Sequence, residues 1–174
     1  SGQAPACNGT PPATQQDDPD LMQGYGELTR SAGSGSVMLR AGRQQMSFGS
    51  SRLVSVRESP NIRRTFEGIR AAWMPSPDMR IDAFFVHPVV PRTGAFDDKA
   101  NAAQSFWGLY ATSPVPGLSS LKLDIYYFGL DHDEARFAQG NADERRHTLG
   151  VRLFGAAAPV DWNVEGAWQF GHFG

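Results

Sequence analysis

Apolar and polar side chains alternate along much of this chain with a period of two, which is typical of β-strands with one face buried or in lipid and one face in water. Between Leu121 and Tyr127 every odd position is apolar, whereas the even positions include Lys122 and Asp124. No stretch shows a helical period, so the sequence predicts an all-β protein. The predicted strands are Leu21–Arg30, Ser36–Met46, Thr65–Met74, Met79–His87, Gln104–Thr112, Ser119–Leu130, Arg145–Phe154 and Asp161–Gly171.

The connections between these strands are alternately short and long. The short ones are Ser31–Gly35, Pro75–Asp78, Ser113–Gly117 and Gly155–Val160, and the long ones are Ser47–Arg64, Pro88–Ala103 and Asp131–Glu144. In an up-and-down antiparallel sheet every second connection lies at the same end. The rhythm therefore predicts tight turns at one rim and long loops at the other, as in outer-membrane β-barrels. Greek-key sandwiches break such a rhythm.

The position of charged residues indicates which face is wet. They fall in the middle of strands, as a water-filled lumen requires: Arg40, Arg70, Arg80, Asp82, Lys122, Asp124, Arg152 and Glu165. Aromatic residues lie mostly near strand ends, where interfacial girdles form: Trp73, Tyr110, Tyr127, Trp162 and Trp168. We predict an antiparallel up-and-down transmembrane β-barrel with residues 1–20 as a flexible loop or tail. Residues 21–174 then form a section of about eight strands of a larger barrel, because eight strands alone enclose a lumen filled by side chains.

The composition of the chain argues against several classes of function. The net charge of −2 argues against nucleic acid as a partner, and no apolar run approaches the ~20 residues of a spanning helix. The four histidines lack ligand spacing and no nucleophile elbow occurs, so we expect no enzyme, no cofactor and no metal site. The run Asp131–Glu134, with oxygens added by Asp97 and Asp98, is a candidate for a divalent cation, but a solvated loop is the favoured interpretation.

Arginine dominates the basic residues, since only two of the 16 are lysines. A guanidinium group stays charged and pairs bidentately with carboxylates, and rings of arginine select anions in pores. The densest group is Arg43, Arg52, Arg57, Arg63, Arg64 and Arg70. The alternative interpretation is that these arginines pair with lumenal acids and stiffen the wall.

The same region carries a family resemblance. Gly42–Gly49 reads GRQQMSFG, Arg57–Arg64 reads RESPNIRR and Phe66–Arg70 reads FEGIR. This resembles the signature of the alginate export family, outer-membrane barrels of Gram-negative bacteria. The resemblance implies an eighteen-stranded monomeric pore with an arginine-lined constriction that exports the anionic polyuronate alginate. It also implies a substrate-facing or electrostatic role for the six arginines as a group.

The leading hypothesis is a pore in the outer membrane of a Gram-negative bacterium that conducts an anionic, alginate-like polysaccharide through an arginine-lined lumen. Its expected partners are the polysaccharide, outer-membrane lipid and periplasmic proteins of a secretion complex, with no nucleic acid. Two alternatives remain open at this point. One is a general or other-substrate porin on the same scaffold, and the other is a soluble carbohydrate-binding β-barrel.

Overall fold

The computed structural model describes residues 20–56, 63–92, 94–137, 140–157 and 159–174. These residues form an all-β protein, and no helix among them is long and apolar enough to cross a membrane. The strands are β1 (Gly24–Ala32), β2 (Gly35–Gln44), β3 (Phe66–Ser76), β4 (Met79–Val90), β5 (Lys99–Ala100), β6 (Gln104–Val115), β7 (Leu118–Phe137), β8 (Gly140–Ala157) and β9 (Val160–Phe173).

All nine strands belong to one antiparallel sheet, in which the eight long strands pair in sequence order and β5 pairs only with β4. The sheet is open, with β1 and β9 at its edges. The eight predicted strands are therefore confirmed, with shifts of a few residues at most ends and a larger extension where β7 and β8 meet. β5 is an addition of two residues inside the connection predicted for Pro88–Ala103.

The short connections lie where they were predicted, at one rim of the sheet. Because the strands are antiparallel, the long connections after β2 and after β4 lie at the opposite rim, which we call the long-loop rim. The prediction of a long loop over Asp131–Glu144 was wrong. Instead β7 continues to Phe137 and β8 begins at Gly140, with Ala135 paired to Ala142. Charged and polar residues there continue the ladder. The sequence did not reveal this extension because it lacks the apolar alternation by which the other strands were predicted.

The sheet has two chemically different faces. Residues 45–56, here called the covering segment, pack against one of them, the covered face. The covered face of the sheet carries Asp82, Asp124, Tyr126 and Arg152. The other, the open face, exposes large apolar side chains: Leu28, Leu39, Ile69, Phe85, Leu109, Ile125, Val151, Val164 and Trp168.

Aromatic rings fill the space between the covering segment and the sheet. Phe48 stacks on Phe84 and Tyr110, with ring centroids 5.3 and 5.0 Å apart. Met46 and Val54 are buried beside it. Tyr110 was predicted in an interfacial girdle but belongs to this core, because its even position puts it on the covered face. The core is thus formed by a loop against a sheet and not by a second sheet.

Two glycines of the family motif have a backbone role. Gly42 and Gly68 face each other across β2 and β3 with φ of 126° and 153°. A Cβ at either would lie within 2.5 Å of a backbone oxygen on the next strand, Gly24 or Phe85. L-residues rarely adopt such φ values, so glycine is required at both positions.

Candidate functional site

The charged residues of the covered face form ion pairs across neighbouring strands. Arg70 on β3 lies 2.8 Å from Asp82 on β4, and Arg80 donates to the same carboxylate at 2.7 Å. Asp82 is almost fully buried, so it needs these two cations. The Arg70 guanidinium also lies 5.0 Å above the Phe48 ring, where a cation is favoured. This pair therefore joins the sheet to the covering segment.

A second buried carboxylate, Asp124 on β7, is 1% exposed and accepts three hydrogen bonds. Tyr110 Oη donates at 2.5 Å, Thr112 Oγ1 at 2.7 Å and Arg152 Nη1 at 2.8 Å. Arg152 also donates to Asn163 on β9 at 2.9 Å. The network spans β6 to β9. It gives the buried Asp124 carboxylate both a cation and further hydrogen-bond donors, as a stable buried ion pair requires.

Glu165 on β9 connects the covering segment to the sheet. Its carboxylate accepts from Ser50 Oγ at 2.9 Å and from Tyr126 Oη at 2.8 Å. Arg52 lies 3.7 Å from the same group but is more than half exposed, so this ion pair is weak. Gly150 makes the Tyr126 contact possible, because a Cβ there would lie 2.1 Å from the Tyr126 ring.

A cavity of about 440 Å³ opens beside the covering segment on the covered face. Three arginines line it: Arg52 from the covering segment, Arg64 before β3, and Arg146 on β8. Its floor carries the polar side chains of Gln104, Thr148 and Gln169 next to Phe66, Phe106 and Phe128. Arg146 contacts Glu144, while Arg64 has no ion pair within the described residues. The cavity therefore presents excess positive charge with hydrogen-bonding groups, which suits an anionic ligand.

The structure separates the six predicted arginines. Arg52 and Arg64 both line the cavity, whereas Arg70 forms an ion pair with Asp82. Arg63 is exposed without an ion pair among the residues described. Arg57 lies outside the described residues.

Arg43, which the family resemblance groups with the other five arginines, lies on the opposite face of the sheet from Arg70. Alternation and its pairing with Glu67 place it on the open face, opposite to Arg40 and Arg70. Its guanidinium donates to the backbone oxygens of Leu21 and Asp98 at 3.1 and 2.9 Å. Arg43 follows Gly42 directly in β2, and successive residues of a strand point to opposite faces of the sheet. Arg43 therefore points to the face opposite that of Gly42 and Arg40.

Sequence reasoning missed Arg146 as a site residue because it lies 76 positions after Arg70 in another strand. A signal was present: Arg146 and Arg152 alternate with the apolar residues of β8, on the polar side of that strand. Only the strand register shows that this polar side is the one facing Arg52 and Arg64.

The family model for alginate export matches residues 4–174, nearly the whole chain. The chain belongs to the alginate export family. The match confirms the resemblance drawn from the arginine-rich motif, and it supports outer-membrane transport because the family is one of transport pores. Comparison with curated proteins gave no match, and comparison with solved structures gave none.

Proposed function

We propose that this chain forms part of the wall of an outer-membrane pore that conducts an anionic, alginate-like polysaccharide in a Gram-negative bacterium. The covered face lines the lumen, and the open face lies against lipid. The observation that carries the proposal is the division of one sheet into a charged, hydrogen-bonded face and an apolar, uncovered face. Membership of the alginate export family supports the transport role.

The open face supports contact with lipid. Val164 is 69% exposed and Trp168 66% exposed, and Ile69, Phe85 and Leu109 are each more than half exposed. These residues come from β3, β4, β6 and β9, so the apolar surface spans most of the sheet. Monomeric soluble proteins rarely expose apolar patches larger than a few hundred Å². The face therefore counts against a soluble carbohydrate-binding protein.

The covered face supports an anion-conducting lumen in two ways. Its partly buried arginines, Arg70 and Arg152, form ion pairs with Asp82 and Asp124, which is the kind of pairing that the alternative interpretation of the arginines describes. The cavity arginines Arg52, Arg64 and Arg146 lie closer to water and supply positive potential. Carboxylates of a polyuronate are attracted there and held weakly enough to move on.

Planar-bilayer recordings of the full-length protein test this mechanism. The triple variant Arg52→Gln, Arg64→Gln and Arg146→Gln should reduce the anion-to-cation permeability ratio, measured as the reversal potential in a KCl gradient. Arg146→Gln alone should give a smaller shift in the same direction. The matched control is Arg145→Gln, which removes one charge at the adjacent residue on the open face. Equal shifts for Arg145 and Arg146 variants would refute an arginine-lined lumen on the covered face.

Current block distinguishes polysaccharide export from general diffusion. Polymannuronate added to one side should interrupt the single-channel current at concentrations at which a neutral glucan of the same length does not. The triple variant should require at least tenfold more polymannuronate for the same block. Equal block by both polymers would favour a general porin.

A further inference from the structure

Arg43 brings two distant parts of the chain together at the long-loop rim of the open face. One is the segment just before β1, which contains Asp20 and Leu21, and the other lies between β4 and β5. Arg43 donates to the Leu21 oxygen in the first and to the Asp98 oxygen in the second. A single guanidinium group therefore holds the backbones of the two segments close together.

Three carboxylates converge at this junction. Asp20, Asp97 and Asp98 each offer an oxygen, and these three oxygens lie within 4.8 Å of one another. Asp98 Oδ1 accepts from the Arg92 backbone N–H at 2.6 Å. Arg43 donates to backbone oxygens of this junction and to Glu67, and to none of the three carboxylates.

The carboxylates at the centre have no partner in the part of the chain that the structure describes. Both oxygens of Asp20 and Oδ1 of Asp97 are buried from solvent and accept no hydrogen bond. The chain also closes tightly over Asp97, because a Cβ on Gly94 would lie 2.7 Å from Asp97 Oδ2. Water therefore does not reach these oxygens, and no side chain of the described residues replaces it.

Such an arrangement is unfavourable without a cation. An ionised carboxylate buried without hydrogen bonds is strongly destabilising, and a second or third negative charge within 5 Å adds repulsion. Arg43 is already paired with Glu67 and forms no ion pair with any of the three. A bound cation would neutralise this concentration of negative charge.

We propose that Asp20, Asp97 and Asp98 bind a divalent cation of calcium size, which joins the segment before β1 to the connection after β4. Carboxylate oxygens are the ligands that calcium prefers. Calcium accepts several carboxylate ligands in a flexible geometry, whereas magnesium requires near-ideal octahedral geometry and gives up its waters reluctantly, so a site of three carboxylates favours calcium. The site differs from the cation candidate considered from the sequence, since Asp97 and Asp98 meet Asp20 and not Asp131–Glu134.

The cation site stands on the carboxylate geometry and does not depend on what the pore conducts. Only its expected affinity uses the proposed function, which puts this rim outside the cell. Extracellular calcium modules bind with dissociation constants of about 10⁻⁴–10⁻³ M. We expect the same range here.

Thermal unfolding of the full-length protein in detergent tests the site, after EGTA treatment and with CaCl₂ added from 0.01 to roughly 10 mM to cover the expected range. The unfolding temperature of the unaltered protein should rise with a midpoint in that range, and MgCl₂ should require at least tenfold more. The variant Asp20→Asn/Asp97→Asn should lose the calcium response. In EGTA it should unfold at the same temperature as the unaltered protein or higher, because it lacks the repulsion.

The matched control is Asp131→Asn, which removes a carboxylate that is paired with Arg145 on the same face. It should keep the full calcium response. A purely structural role of the acids predicts the reverse pattern, with Asp20→Asn/Asp97→Asn less stable in EGTA. That result would overturn the proposal, as would a protein whose unfolding temperature ignores calcium, or a response that persists in the double variant. Bilayer conductance is measured in parallel, so that evidence against the cation site can be told apart from evidence against the proposed pore.

Discussion

Replacing Arg152 by methionine gives the sharpest test of the covered face, because it leaves Asp124 buried without the one cation that pairs with it among the described residues. Breaking a buried ion pair from one side costs about 3–5 kcal/mol. Here Tyr110 and Thr112 still donate to Asp124, which places the expected loss of unfolding free energy near the lower end, about 3 kcal/mol. Methionine retains an unbranched apolar stem but loses the guanidinium, whose Cζ lies 3.9 Å from the centroid of the Phe154 ring.

A double-mutant cycle separates the ion pair from side effects. Asp124→Asn alone should cost about 2 kcal/mol, because one charge-assisted bond is lost while the amide oxygen still accepts. The double variant Arg152→Met/Asp124→Asn should cost less than the sum of the two, by about 1.5–2 kcal/mol, since no unpaired charge remains. The exposed pair Arg145–Asp131 is the control, and Arg145→Met should cost less than about 1 kcal/mol.

Urea unfolding of the full-length protein in lipid vesicles, followed by tryptophan fluorescence, gives these free energies by linear extrapolation. Heat-modified mobility on gels confirms that each variant starts folded. If Arg152→Met costs no more than Arg145→Met, or if the two substitutions at 152 and 124 add within about 0.5 kcal/mol, the network does not stabilise the sheet as described.

Two further predictions concern the two faces. Phe48→Ala removes the ring that holds the covering segment, so trypsin should cleave at Arg52 faster and single-channel conductance should rise; Phe96→Ala, at an exposed ring, is the control, and unchanged cleavage would contradict the packing. Ile125→Arg puts a charge in the middle of the open face and should destabilise the protein in lipid by about 2–4 kcal/mol, whereas Val160→Arg at the short-turn rim should cost about 0–1 kcal/mol. Equal costs at the two depths would argue against a lipid-facing surface.

Strand existence and face polarity were predictable because both follow from local alternation. The eight long strands and the opposition of Asp124 to Ile125 were visible in the sequence and are confirmed by the structure. The extension of β7 and β8 was not visible, since strands with polar residues on both faces look like loops. The same limit applies to Arg43, which the motif groups with Arg70 although its parity puts it on the opposite face of the sheet.

The candidate site was predictable in kind but not in membership. Arginine enrichment and the family motif pointed to positive charge that attracts an anion, and Arg52 and Arg64 do line the cavity. Arg70 instead neutralises a buried aspartate, because its register places Asp82 within reach. Arg146 joins the cavity from β8, across pairings that no local pattern reveals.

By itself the sequence determined the strands, their two faces and the family, because side-chain direction along a strand depends only on whether a position is odd or even. The tertiary structure alone decided which charges meet. Whether an arginine neutralises an acid, faces a cavity or fixes two loops depends on inter-strand register and on where the covering segment folds. Those depend on contacts between residues far apart in the chain, such as Ser50 with Glu165 and Arg43 with Asp98.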